Sequence, residues 1–228
     1  MTEQEVYRKI RPLMEKVNEG LYWDFKKTIH KNGIPDIIKD ILAFSNSEYD
    51  GESYIIVGVS EPKIQLQENK IPLSTEDRRR LNTDAKYIYL PGKWNVHGLS
   101  AEDLEKMKQF SAQLTEKLSS HMLISHPQCE YIPVQINASR WLYVIVIKHT
   151  PGVFISKEDI LYPYGDHKPA VKQGILYVRI ADTTTGARTD IASTTEYIRV
   201  WKKYINWLEN HPILDEHRKD DGGARCLD

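Results

Sequence analysis

The sequence predicts an α+β domain whose helices pack on a mixed, largely antiparallel sheet, and three observations predict it. First, residues 18–61 run from an alternating segment through a helix-spaced one to a short apolar run. Second, two strand candidates, 131–136 and 141–148, are joined by Asn137-Ala138-Ser139 as a hairpin would be. Third, strands and amphipathic helices interleave without a regularly repeated βαβ unit. No internal repeat and no long linker divides the 228 residues. Residues 1–212 therefore read as one domain, with an insertion at about 63–97 and a flexible polar tail over 213–228.

Taken in order, Val6, Ile10, Leu13 (or Met14) and Val17 mark a short amphipathic helix that Pro12 bends or restarts. From 21 to 27 Trp23 and Phe25 alternate with Tyr22, Asp24 and Lys26, the period-two pattern of a half-buried strand. Pro35 suits a first helical turn, and Ile34, Ile37, Ile38, Ile41 and Leu42 recur at helical spacing up to about Asn46. The run SYIIVGV from Ser53 to Val59 reads as a central strand. Ser74, Glu76 and Asp77 open a further short helix that carries Arg78, Arg79 and Arg80. Ser100 with the acids behind it starts the longest helix, with Leu104, Met107, Phe110 or Ser111, Leu114 and Leu118 on its stripe. A strand over 174–180 and a terminal helix over 194–210 complete the set. In that helix Tyr197, Ile198, Trp201, Tyr204, Ile205 and Leu208 are expected to face inward.

Composition narrows the function classes. A formal net charge of −1 gives no global field for a polyanion, so a nucleic-acid site must be a local patch. Two distant cysteines, Cys129 and Cys226, build neither a disulfide framework nor a zinc cluster and fit a reducing cytoplasm. No apolar run reaches membrane-spanning length, and no signal-peptide core is visible. No glycine-rich loop ending in GK[ST] points to ATP.

Acidic residues stand at the polar exits of the 18–61 segment: Glu19 and Asp24 at its first strand, Glu61 after its second. Asp24 and Lys26 share a strand face, so an oxygen and an ammonium point the same way; Gly20 lets the chain turn before them. The same letters also suit a solvated strand face with a terminal acid. Arg78, Arg79 and Arg80 offer phosphate contacts or a solvated helix face. Arg179, on an apolar strand, needs either a structural carboxylate or a bound phosphate.

WDFK, the helix ending AFSNS, GESYIIVGVSE, LYPYG and GILYVRIADTTTGAR occur in an order that resembles the Schlafen AlbA-like domain family, from about Glu19 to Arg188. The family pattern is E-x4-E-F-K, a helix ending A-F-A-N, G-G-x-x-x-I-G-V-D and a late Y-x-R-x-G-x-x-T. Here Asp24 replaces the second Glu, Ser60 replaces the Asp, and Asp50-Gly51-Glu52 interrupts the double glycine.

The resemblance implies a metal-dependent endoribonuclease acting on tRNA or other structured RNA, in a setting such as antiphage defence. Carried over, Glu19, Asp24 and Glu61 would hold Mg²⁺ or Mn²⁺, and Lys26 would stabilise the phosphate. Arg179 stands at the late arginine and, with Arg78–Arg80, would bind the RNA. A single lobe of this size would form its cleft as a homodimer. The alternative is a non-catalytic nucleic-acid- or nucleotide-binding module serving as sensor or regulator, which the departures at Asp24 and Ser60 favour.

Overall fold

The structure, a computed structural model, describes residues 1–16, 19–30, 33–60, 70–72, 75–76, 87–89, 95–122, 124–163, 168–182 and 186–211. Helix α1 (Glu3–Ile10) opens with a capping box between Thr2 and Glu5; a single 3-10 turn (Leu13–Glu15) follows Pro12. Strand β1 (Trp23–Lys26), helix α2 (Ile34–Ser45) and strand β2 (Ser53–Val57) realise the strand–helix–strand reading, with β1 and β2 parallel. Then come β3 (Val59–Ser60), β4 (Lys70–Pro72), β5 (Tyr87–Tyr89) and β6 (Asn95–Val96). Helix α3 (Ala101–His121) is capped by the Ser100 hydroxyl, which accepts from the Asp103 N–H. Strands β7 (Gln128–Asn137) and β8 (Arg140–Lys148) form the expected hairpin, each longer than the apolar pattern alone marked. The rest comprises β9 (Ile160–Leu161), β10 (Pro169–Val171), β11 (Tyr177–Asp182), β12 (Gly186–Ile191) and helix α4 (Thr194–Asn210).

The central sheet has the order β1-β2-β8-β7, parallel at its first pair and antiparallel at the other two. It is the mixed, mostly antiparallel sheet of an α+β domain. Every residue of β2 is buried because both faces are covered. Ile55 and Val57 pack under α2 and α3, while Tyr54 and Ile56 pack under α1. All five expected stripe residues of α3 are buried. Gly58, at φ +104°, turns the chain out of β2 and receives a close backbone approach, 3.2 Å from an added Cβ to the Gly98 Cα. Only glycine fits there.

A third core cluster (Val153, Ile155, Leu176, Val178 and Val200) seats α4 on β11 and its approach. Asn46, at the C-cap of α2, ties this region down. Its amide donates to the carbonyls of Phe154 and Tyr177 at 2.8 and 3.0 Å, and its oxygen accepts from the Phe154 N–H at 3.0 Å. Asn46→Ala would strand three buried backbone groups and is expected to cost about 2–4 kcal/mol, read by urea unfolding. An unchanged midpoint would show that water replaces the amide.

The structure corrects one sequence expectation about α4. Ile198 and Ile205 are 50% and 46% exposed rather than inward, and Val200 is the one fully buried residue of this helix. Val200, Tyr197 and Trp201 contact the core, so the inward stripe is rotated away from the two isoleucines. Glu61, Arg78, Arg79 and Arg80 lie outside the described residues, as does the 213–228 tail.

Candidate functional site

The parallel pairing of β1 with β2 puts Phe25 against the α1 side of the sheet. By strand alternation Asp24 and Lys26 then face the α2 side. Asp24 is not on a solvated face: it is 2% exposed. Gly20 N–H donates to the Trp23 carbonyl, and the Trp23 ring lies so close that a Cβ on Gly20 would fall 2.0 Å from it. This tight return brings Glu19 back along the strand, where its Oε1 accepts the Phe25 N–H at 2.9 Å.

Two further elements close the site. Asp40 projects from α2, and Arg179 and Thr189 come from opposed positions of the β11–β12 hairpin. The Lys26 ammonium lies 2.6 Å from Asp24 Oδ2 and 3.1 Å from Asp40 Oδ2, bridging the two acids. The Arg179 guanidinium lies 3.4 Å from Asp24 Oδ1 and 3.9 Å from Glu19 Oε2. It also donates to the carbonyls of Gly20 and Trp23, both at 3.3 Å, and sits 4.8 Å from the centre of the Phe44 ring. Thr189 donates to Asp40 Oδ1 at 2.7 Å. Of the residues singled out in the sequence, Glu19, Asp24, Lys26 and Arg179 meet here. Asp40 and Thr189 were not foreseen. Asp40 carried a signal, since it lies on the α2 stripe between Ile37 and Phe44 where an apolar residue is expected.

Three carboxyls facing two cations leave one negative charge in excess, and burial makes that excess costly. Glu19 absorbs it. Burial first, then the charge of Asp24 and a hydrogen bond with it, push the Glu19 carboxyl up to about 8, against the Phe25 N–H and Arg179. Near neutral pH it holds a proton shared toward Asp24. Burial also pushes Asp24 up, but Lys26 and Arg179 outweigh it and hold that carboxyl below its usual value. Asp40 is raised by burial and by Asp24, more than Lys26 and Thr189 lower it. Burial disfavours the Lys26 charge, yet Asp40 and Asp24 raise its affinity for the proton above that of a free lysine.

This cluster floors a cleft of about 790 Å³ bordered by Lys39, Arg188 and the first turn of α2. The N-cap of α2 is Gly33, and among the described residues no side chain caps its first turn. A second hollow of about 510 Å³ shares Thr28, Ile29 and His30 with the first and continues to Lys106 and Gln109 on α3. The two adjoin as one groove of mixed polar and apolar lining.

No family model matches the chain. Over 105 residues it is 30% identical to an ATP synthase subunit delta from Campylobacter hominis, covering 42% of this chain and 56% of that protein. The chain thus spans little more than half the length of this curated relative. Among solved structures, the N-terminal domain of a RecG-related protein from Nitrosomonas europaea overlaps with a TM-score of 0.39 and 14% identity, over 81% of this chain and 93% of that one. At these levels neither likeness assigns a family. No helix among the described residues is long and apolar enough to cross a membrane.

Chemically, the described acids are a poor cation cage. The Lys26 ammonium already occupies the space between Asp24 and Asp40, and Glu19 carries a proton near neutral pH. Among the described residues no three His, Cys, Asp or Glu side chains are arranged to hold a metal ion. Glu61, the expected third ligand, is not among them. Mg²⁺ or Mn²⁺ would have to displace Lys26 and the Glu19 proton to bind. The cluster as placed does something else: it clamps a guanidinium and an ammonium in the floor of a groove.

Proposed function

We propose that this domain binds the sugar–phosphate backbone of nucleic acid, structured RNA foremost, along the groove between α2, the β11–β12 hairpin and α3. The observation that carries this reading is the uncapped first turn of α2, which opens onto the cleft beside Lys39 and Arg188. The positive end of the helix and the flanking cations, Arg188 held by Asp190 among them, together suit a phosphate. The continuation past His30 to Lys106 suits a polymer better than a single nucleotide. Lys26 and Arg179 act from below by holding the walls in register, and their charges are already matched by acids. The ordered resemblance to the Schlafen AlbA-like family supports the same reading.

The test is a fluorescence-anisotropy titration with a labelled RNA hairpin, tRNA and duplex DNA at low and moderate salt. Binding is expected to weaken steeply with salt, and Lys39→Glu or Lys106→Glu to weaken it roughly tenfold each, with little preference lost between sequences. No binding at low salt would overturn the proposal. Metal-dependent RNA cleavage, the activity implied by the resemblance, is asked of the same preparation with Mg²⁺ and Mn²⁺, beside Glu19→Ala and Asp24→Ala. Cleavage lost in both variants while their circular dichroism and urea midpoints show a folded domain would make the groove an endoribonuclease site. Binding without cleavage under either metal would leave a sensor or regulatory module.

A further inference from the structure

Helix α4 carries more apolar surface than the described residues of its own domain cover. Its inward side is filled by Val200, with Tyr197, Trp201 and Tyr204 against the same cluster. Beyond that edge Ile198 and Ile205 stand about half exposed, one heptad apart, and Trp201 and Leu208 are partly exposed at the intervening positions. Ile198, Trp201, Ile205 and Leu208 therefore form an a-d-a-d seam of the kind that packs against another helix.

The charges beside the seam say which helix. Lys202 and Glu209 occupy successive e positions, and both are exposed. In an antiparallel helix pair, e positions face e positions across the interface. Placing a second α4 antiparallel so that Ile198 meets Leu208 and Trp201 meets Ile205 brings Lys202 opposite Glu209 twice, once on each side of the two-fold axis. The same register sets Tyr204 against Tyr204. A parallel arrangement would set each e position against a g position, Tyr197 or Tyr204, and would pair no opposite charges. We propose that α4 is a self-association surface and that the chain forms a two-fold homodimer through antiparallel α4 helices. The contact is isologous, as a two-fold dimer requires. With about four apolar layers it falls at the low end of specific interfaces, below roughly 1,200 Å², so the dimer is expected to form in the micromolar range. The inference is independent of the groove and of what binds there.

Sedimentation equilibrium of the full chain without nucleic acid tests it. The apparent mass should rise from 26.5 kDa toward twice that value with concentration. Ile198→Glu and Ile205→Glu should each hold the protein monomeric, while helical circular dichroism stays unchanged because both side chains are half exposed. Lys202→Glu alone and Glu209→Lys alone should each weaken the dimer roughly tenfold, since each places two like-charged pairs at the rim. Mixing these two variants should restore wild-type association, because every pair is then opposite in sign. A wild-type chain that stays monomeric at high micromolar concentration would overturn the proposal. So would a dimer indifferent to Ile205→Glu, or charge variants that fail to rescue one another.

Discussion

Lys26→Met is expected to destabilise the domain by about 3–5 kcal/mol at pH 8, the cost of removing one partner from a buried charge cluster. The ammonium is the shared counter-ion of Asp24 and Asp40 at 2.6 and 3.1 Å, and neither acid has water enough to replace it. Methionine fills the stem's volume but leaves the two carboxylates facing each other. One of them must then take up a proton, and Asp40, already raised by burial and by Asp24, is the one placed to do so. The loss should therefore shrink as the pH is lowered. Urea unfolding of both proteins across pH would show it. A penalty of equal size at every pH would mean that lost packing, and not the unpaired acids, is responsible. On the proposed reading of the groove, affinity for RNA should also fall, because Lys26 spans β1 and α2 at its floor.

The parts of this architecture that were legible in the sequence are those fixed by local pattern. The apolar stripe of α2, the unbroken run of β2 and the Ser100 cap of α3 each depend on near neighbours, and each lies where the pattern put it. The β7–β8 hairpin was legible for the same reason. What was not legible depends on distant partners. Strand β12, reading GARTDI, has no alternation to mark it and pairs only with β11. Thr189 joins the site solely through that pairing. Arg179 was open between a carboxylate and a phosphate until the turn at Gly20 brought Asp24, Glu19 and two carbonyls around it. The rotation of α4 was misread because its apolar arc is wider than the core beneath it. An amphipathic pattern says that a face is apolar and does not say which part of that face the domain covers.

Glu19→Gln is expected to reduce the stability change that the wild type shows between pH 4.5 and 8. The sign follows from where the proton sits. In the unfolded chain Glu19 titrates near 4.5, and in the fold near 8, so between these values the native state holds a proton that the unfolded state has released. Raising the pH then favours unfolding, and the stabilisation present in full below 4.5 is lost by the time the pH passes 8. The loss is on the order of 3 kcal/mol, tempered by the partial exposure of the side chain. Asp24 works in the opposite direction and in another window. Its depressed value contributes stability above 3.8 that disappears as the pH falls below it. Asp40, raised by burial and by Asp24, adds a decline of the same sign as Glu19 and keeps the variant from being flat. Glutamine keeps an oxygen for the Phe25 N–H and offers an N–H toward Asp24, reproducing the protonated carboxyl without its titration. The variant should match the wild type near pH 4.5 and exceed it in stability above pH 8, measured by urea midpoints over that range. Parallel curves for the two proteins would show that Glu19 is ionised throughout. The excess negative charge would then have to be neutralised elsewhere, and the acids of the groove would be freer to receive a cation than their pairing with Lys26 and Arg179 implies.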